Sequence, residues 1–165
     1  MAVAMRWLLF VALFSCSAPK PAEEPSPAPM REVVDAEVAR VLDDWHDAAA
    51  KADEERYFAH FAAGGVFLGT DGTERWTVPQ FRAYAHPHFA KGKAWTMRST
   101  RREITFQHDV AWFDEDLISE GLGPVRGSGV LVRDPNGKWK IAQYNLSFPI
   151  PNDKFKDVKA LVLGQ

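Results

Sequence analysis

The chain has 165 residues, a length that suits a single domain, and 20 Lys and Arg nearly balance 22 Asp and Glu. Because the sequence contains no dense basic patch, we expect no nucleic-acid partner. Six Trp, eleven Phe and three Tyr favour a large core that still leaves a lined cavity. The only cysteine is Cys16, so we expect no internal disulfide.

Residues 1–16 are predicted to be a secretory signal with a lipobox-like end. Arg6 precedes an apolar run through Phe14, which is shorter than the about 20 residues of a transmembrane helix. The sequence Leu-Phe-Ser-Cys that ends at Cys16 resembles a bacterial lipobox. We therefore predict export to the cell envelope, with Cys16 lipidated in a bacterial membrane. An ordinary cleaved signal is the alternative.

Residues 17–30 are predicted to form an extended tether. The segment contains five prolines with Ala, Ser, Glu and Lys between them, a composition that cannot build a core. At roughly 3.1 Å per residue, it would hold a domain about 40 Å from a membrane. The lipid anchor would then make the only membrane contact.

Three helices are predicted next. Apolar residues recur at three- and four-residue spacing over about 31–50, and the acids at 53–55 begin a second helix that Gly64-Gly65 ends. A short strand at 66–69 then turns back over 70–73. Thr77 caps the third helix, which Pro87 should break or kink.

The remaining residues are predicted to form long antiparallel strands and a marginal C-terminal helix. Asn136-Gly137 is typical of a tight hairpin turn. Helices followed by such strands indicate an α+β fold with helices on one face of a sheet. The four predicted long strands are 95–106, 110–119, 125–133 and 139–148.

Polar residues occupy the ends of the last two predicted strands. Asn145 and Ser147 share one face with Trp139 and Ile141, because side chains alternate along a strand. A face that changes from apolar to polar is typical of a strand that enters a wet pocket. We therefore predict that four residues line a pocket; the alternative is a hydrogen-bond network that sets the sheet register. The four residues are Arg126, Ser128, Asn145 and Ser147.

Five segments of the chain resemble the SnoaL-like branch of the nuclear-transport-factor-two-like superfamily. The resemblance covers about residues 31–151 and leaves 152–165 as a C-terminal tail. It implies a cone-shaped, curved antiparallel sheet packed against three N-terminal helices. The five segments are FLGTDGTERW (67–76), FRAYAHPHF (81–89), DVAWFDEDL (109–117), RGSGVL (126–131) and GKWKIAQYNLSFPIPN (137–152).

The resemblance implies fold more specifically than activity, because the family includes isomerases, cyclases, dehydratases and many non-catalytic members. Many members have histidine at the position of Asn145. Many also dimerise through the convex face of the sheet, and we predict a homodimer here. Alternation assigns four apolar residues to that face, where a monomer would expose them: Leu131, Tyr144, Leu146 and Phe148.

Carboxylates in the middle of a predicted strand are the candidate catalytic groups. Asp114 shares a face with Trp112, whereas Glu115 lies on the other face, and alternation does not decide which one is inward. A carboxylate on an apolar inner face would have a raised pKa and would suit general acid or base chemistry. In the alternative, one of the acids pairs with Arg126 and the others are solvated.

Four aromatic residues are candidates for ligand contact: Trp45, Trp76, Tyr84 and Trp112. Core packing is the alternative for those on helices. His46, His60 and His108 lie in polar stretches and are expected to be solvated. His86 and His88 flank a proline without a third ligand nearby, so we predict no metal site. No phosphate-binding loop, serine elbow or cysteine nucleophile occurs, and we expect no cofactor.

Two functions fit these features. The first is an envelope-tethered domain that binds a small apolar molecule without transforming it. Asn145 supports it, because an amide cannot exchange protons near neutral pH. The alternative is a cofactor-independent isomerase, cyclase or dehydratase. It would use Asp114 or Glu115 as the acid or base, and Arg126, Asn145 or Tyr84 to stabilise negative charge.

Overall fold

A computed structural model of the chain describes residues 27–164, with side chains from Met30 onward. The predicted signal, Cys16 and residues 17–26 of the predicted tether lie outside the described residues. The elements are α1 (Pro27–Ala50), α2 (Glu54–Ala59), β1 (Phe61–Leu68), β2 (Arg75–Thr77), α3 (Val78–Phe89), β3 (Met97–Gln107), β4 (Val110–Ser119), β5 (Gly123–Arg133), β6 (Trp139–Ser147), a 3₁₀ turn (Asn152–Lys154) and α4 (Phe155–Leu163).

The helices differ from the prediction mainly at their ends. α1 begins at Pro27 and so includes residues 27–30 of the predicted tether, because proline is tolerated in the first turn of a helix. Gly64 lies within β1 and does not end α2. Pro87 lies inside α3, which continues to Phe89. Proline lacks a single N–H donor, and the helical bonding continues past it, because the Ala90 N–H donates to the His86 oxygen.

The six strands form one sheet in the order β2-β1-β6-β5-β4-β3. The expectation of a wholly antiparallel sheet is wrong, because β1 pairs with β6 in parallel. All other neighbours are antiparallel. A parallel pair needs a long connection between its strands, and here that connection contains the other four strands and α3. The fold is therefore α+β with a mixed sheet packed against the helices.

A bulge in β6 reverses the predicted faces of its second half. Ile141 pairs with Leu131 and Gln143 pairs with Val130, so Ala142 is an extra residue without a partner. Trp139 and Ile141 are buried before the bulge, and Tyr144 and Leu146 are buried after it. The prediction that Asn145 and Ser147 face the pocket is therefore wrong. Both lie on the outer face of the sheet, the face away from the helices.

The prediction that Arg126 and Ser128 line the pocket is also wrong. Gly127, Gly129 and Leu131 are buried under the helices, which leaves Arg126 and Ser128 on the outer face. Glycine occupies the inner face at 127 because β6 lies close there: a methyl group on Gly127 would overlap the hydroxyl of Tyr144. Only glycine leaves that space free.

Alternation along β4 also shows that the predicted pocket positions of Asp114 and Trp112 are wrong. The residues assigned to the dimer face need correction as well. Asp114 pairs with Ser128 in register and lies on the outer face together with Trp112, so neither lines a pocket. Leu131, Tyr144 and Leu146 are buried in the interior, and Phe148 follows the end of β6 and is exposed. The homodimer remains a prediction, but these residues do not support it.

Aromatic rings fill the space between the helices and the sheet. Trp45 from α1 lies with its ring centroid 4.9 Å from that of Tyr57 and 4.5 Å from that of Tyr144. Phe81 from α3 stacks on Phe67 from β1 at 3.9 Å. This packing positions the pocket described below. Within residues 27–164, no helix has the length and apolar character to span a membrane.

Candidate functional site

A cavity of about 650 Å³ opens at the end of the sheet where β1 and β6 both end. Its walls come from α1, α3, the β1–β2 connection, the start of β3 and the β4–β5 turn. We call this cavity the pocket. Its volume lies within the range of about 300–1,000 Å³ typical of small-molecule sites. Its aromatic lining includes Trp45, Trp76, Phe81, Tyr84, Trp95 and Tyr144.

Three of the predicted ligand-binding residues do line the pocket: Trp45, Trp76 and Tyr84. Trp45 is 2% exposed and lies deep, whereas Tyr84 is 50% exposed at the opening. The rings of Trp76 and Tyr84 stack with centroids 4.5 Å apart. Together the two rings form a flat apolar wall of the pocket. Their contact with a ligand remains a prediction.

Glu115 is the only acid of its strand that faces the helices, and it is completely buried. Its Oε1 accepts hydrogen bonds from Nε2 of His46 at 2.8 Å and from the hydroxyl of Tyr144 at 3.1 Å. Its Oε2 lies 2.9 Å from Nε and 2.8 Å from Nη2 of Arg102. A buried carboxylate with this many donors is the kind that proteins retain in its ionised form.

The electrostatics keep Glu115 ionised and Tyr144 neutral. Burial by itself raises the pKa of Glu115. The hydrogen bonds from His46 and Arg102 and the charge of Arg102 outweigh burial, so the pKa of Glu115 lies below its ordinary value. Burial, followed by the charge of Glu115, raises the pKa of Tyr144 well above its ordinary value. This corrects the prediction that an inward carboxylate has a raised pKa.

Arg102 connects this cluster to α1. Its Nη1 donates to the backbone oxygen of Ala39 at 3.2 Å and to Asp43 at 2.9 Å. The arginine therefore neutralises Glu115 and attaches the helix that bears His46 to the sheet. Glu115 itself does not line the pocket, whereas His46 and Tyr144 do.

His46 lines the pocket, and Glu115 holds one of its ring nitrogens. An ionised carboxylate can only accept hydrogen bonds, so in a neutral imidazole the proton lies on Nε2 and Nδ1 has a free lone pair. Nδ1 has no hydrogen-bond partner among the described residues.

The remaining acids of β4 form an ion-pair network on the outer face. Asp116 lies 2.9 Å from Arg101 and 3.3 Å from Arg126, and Asp114 lies 2.6 Å from Arg101. The alternative that one acid pairs with Arg126 is therefore correct for Asp116. Hydrogen bonds from Arg101, then Arg126, lower the pKa of Asp116.

Sequence reasoning missed His46, Arg102 and Tyr144. The expectation that His46 is solvated is wrong, since it is 7% exposed. One signal was available, because His46 follows Val38 and Leu42 at four-residue spacing on the buried stripe of α1. His60 is also largely buried, with a hydrogen bond to the backbone oxygen of Arg56 at 2.7 Å.

The described residues contain no cluster of metal ligands. Over 30–164, no three His, Cys, Asp or Glu side chains lie close enough together to hold a metal ion. Besides aromatic rings and hydroxyl groups, the pocket is lined by His46 and His88 and by three charged side chains, Glu74, Lys93 and Glu120.

Comparisons with known proteins show one family and one fold. A model described as the SnoaL-like domain matches residues 38–151. No curated protein has a significant sequence match to the chain. Solved structures at below 25% identity show the same fold and nothing about activity.

Three solved structures illustrate this similarity. A nuclear-transport-factor-two-like (NTF2-like) protein of unknown function from Pseudomonas putida aligns with 14% identity over 74% of this chain and 92% of its own, with a TM-score of 0.64. A protein of unknown function from Mycobacterium tuberculosis aligns with 19% identity over 78% and 79%, with a TM-score of 0.66.

The third is a proposed dehydratase of the NTF2-like family from Streptomyces avermitilis. It aligns with 18% identity over 74% of this chain and 99% of its own, with a TM-score of 0.60. The solved structures show that the chain has the NTF2-like fold. Because the family model matches residues 38–151, the chain belongs to the SnoaL-like domain family.

Proposed function

We propose that this SnoaL-like domain binds a small apolar molecule with a planar ring. The observation that carries the proposal is an open pocket of about 650 Å³ with aromatic walls and one buried imidazole. Stacked Trp76 and Tyr84 provide a flat surface near the opening, which suits offset stacking of a ring. His46 Nδ1 provides a polar point that orients the molecule by accepting a hydrogen bond.

The export and lipid anchor predicted at Cys16 belong to the same proposal. They would place the pocket outside the cytoplasm, where it would meet molecules that enter or leave the cell. Metabolic labelling with an alkyne fatty acid, with Cys16→Ser as the unlabelled control, tests the anchor independently of ligand binding.

Calorimetric titration with 1-naphthol and naphthalene tests the binding. Both probes have the same ring system, but only 1-naphthol donates a hydrogen bond. We expect 1-naphthol to bind more tightly than naphthalene and His46→Leu to remove the difference. We expect Trp76→Leu to weaken both probes by about threefold to tenfold, because an aromatic pair contributes about 0.5–1.5 kcal/mol.

Trp112→Leu is the matched control, because Trp112 is a half-exposed tryptophan on the outer face. Equal losses in Trp76→Leu and Trp112→Leu would mean that the probes bind elsewhere. Failure of a wider set of planar ring compounds to bind would overturn the proposal.

The pair of His46 and Glu115 supports a second candidate function, cofactor-free proton transfer next to a carbonyl group. The imidazole would be the base, because His46 lines the pocket and its Nδ1 has no described partner, whereas Glu115 is buried and held by three donor residues. The buried carboxylate would orient the ring and stabilise the imidazolium that forms when Nδ1 accepts a proton. Isomerisation and dehydration both begin with such a step.

Deuterium exchange at the α-carbon of 1-tetralone, in deuterium oxide, measures this step without a known substrate. We expect the wild type to accelerate the exchange and His46→Gln to abolish the acceleration. Glu115→Gln should slow the exchange and move its pH profile, because the ring loses its anionic partner. Asp114→Asn is the control and should keep the full rate. Unchanged exchange in His46→Gln would exclude His46 as the base.

A further inference from the structure

The C-terminal segment, residues 148–164, is an apolar surface that the fold leaves uncovered. α4 has no buried residue, and Leu161 and Val162 are 81% and 78% exposed. In the described part of the chain, α4 packs substantially only against the adjoining 3₁₀ turn. Phe155, Val158 and Val162 lie at i, i+3 and i+7, so they share one stripe of the helix. Such a stripe normally contacts another surface.

The chain brings this segment to the opening of the pocket. β6 ends at Ser147, beside the ends of β1 and β4 and the start of β3. The pocket residues Thr70, Lys93, Glu120 and Leu122 belong to the connections at this same end. The C-terminal segment therefore begins at the pocket opening and not at the far end of the sheet.

The opening has an apolar rim that lacks a cover. Tyr84 is 50% exposed and Leu122 is 45% exposed, and both line the pocket. Phe148 and Ile150 follow β6 directly and are 47% and 44% exposed. The rim and the first residues of the segment are thus both apolar and exposed, and contact between them would remove both from water.

The length of the segment also fits. Residues 148–151 span up to about 13 Å when extended, and α4 adds about 13 Å. Neighbouring strands are about 4.8 Å apart, so the segment is long enough to cross from β6 to the β4–β5 turn. With only three lysines and two aspartates after Pro151, it lacks the strongly basic face of a membrane-surface helix.

We propose that the C-terminal segment folds over the pocket opening of its own chain, with α4 packed on the rim near Leu122. The family match ends at residue 151, so most of this cover lies outside the matched domain. The inference rests on the proposed function only in that a cover has a role if the pocket holds a molecule.

Disulfide trapping tests the contact without any ligand. Leu122→Cys and Val162→Cys are combined in the full chain with Cys16→Ser, so that the two introduced thiols are the only ones. Both positions are exposed, and circular dichroism verifies the fold. Under mild oxidation we expect an intramolecular disulfide, seen as a monomer that has lost two hydrogens.

Asn145→Cys with Val162→Cys is the matched control, because Asn145 lies at the same end of the sheet but on its outer face. Three outcomes would overturn the proposal: equal cross-linking in the control, a disulfide only between two molecules, or no cross-link. Co-sedimentation of the full Cys16→Ser chain with phosphatidylglycerol vesicles, lost on truncation after Pro151, would instead assign α4 to a membrane.

The two proposals fail separately. A cross-link without binding of 1-naphthol would support the C-terminal cover and contradict the proposed ligand. Binding of 1-naphthol without a cross-link would support the proposed ligand and contradict the cover. If both hold, truncation after Pro151 should accelerate 1-naphthol dissociation and leave the rim residues unchanged.

Discussion

At the scale of single residues, the donors around Glu115 determine what the pocket floor can do. The carboxylate holds His46 in one orientation, and it also pairs with the buried charge of Arg102. Removing one partner of a buried ion pair typically costs about 3–5 kcal/mol, because the other charge remains buried. Glu115 is therefore a positioning residue for His46 and also a main source of stability.

We expect Glu115→Gln to lower the free energy of unfolding by about 3–5 kcal/mol, measured by urea denaturation at neutral pH. Asp114→Asn is the control, because it removes a carboxylate from the adjacent residue and from an exposed ion pair. Its effect should be much smaller. Equal effects of the two substitutions would mean that burial does not determine how much Glu115 contributes to the free energy of unfolding.

The same residue predicts how stability depends on pH. The folded-state pKa of Glu115 lies below its ordinary value near 4.5, so between those two values the unfolded chain binds more protons. Its contribution is present above about pH 4.5 and is lost as pH falls through the lowered pKa. The difference in unfolding free energy between wild type and Glu115→Gln should therefore narrow as pH falls below 4.5. A constant difference down to pH 3 would contradict the lowered pKa.

At the scale of elements, small irregularities in β5 and β6 place the side chains. The extra residue Ala142 moves Tyr144 to the inner face, and Gly127 leaves the space that its hydroxyl needs to reach Glu115. Both strands are therefore needed to place the Tyr144 hydroxyl beside Glu115. Strand alternation alone would not indicate the roles of Ala142 and Gly127.

We expect Gly127→Ala to destabilise the domain by about 1–3 kcal/mol, because the added methyl group overlaps the Tyr144 hydroxyl. Gly72→Ala is the control, since a methyl group there meets nothing within 4 Å, and its effect should stay within about 0.5 kcal/mol. Thermal denaturation of both variants measures the difference. Gly127→Ala combined with Tyr144→Phe should recover part of the loss; no recovery would contradict the proposed overlap.

At the scale of the whole molecule, two arginines attach α1 to the sheet. Arg102 contacts Asp43 and the Ala39 oxygen, and Arg133 lies 2.9 Å from Glu37. Glu37 also accepts a hydrogen bond from the indole of Trp139 at 3.1 Å. The helix layer is therefore held at two separate places, and only the first belongs to the pocket.

A double-mutant cycle separates the two attachments. Arg102→Met and Glu115→Gln should together cost less than the sum of the single changes, by about 1–3 kcal/mol, because each alone leaves a buried charge unpaired. Arg133→Met combined with Glu115→Gln should be additive within about 0.5 kcal/mol, because they share no partner. Unfolding free energies of all variants test this, and additivity in the first pair would exclude direct coupling.

Residue patterns alone determined the fold class and the order of the elements. The stripe of α1 and the four long strands follow from periodicity, which depends only on neighbouring residues. The family resemblance predicted the helix layer against a sheet. Trp45, Trp76 and Tyr84 do line the pocket, although their sequence pattern alone could not exclude core packing.

Only the tertiary structure decided which face of the last strands is inward. A bulge shifts alternation by one residue, and its position depends on pairing with another strand, which local sequence does not contain. Asn145 and Ser147 were therefore placed on the wrong face, whereas His46, Arg102 and Tyr144 converge on Glu115 from distant parts of the chain. Periodicity is local, but the site is made by contacts between residues far apart in sequence.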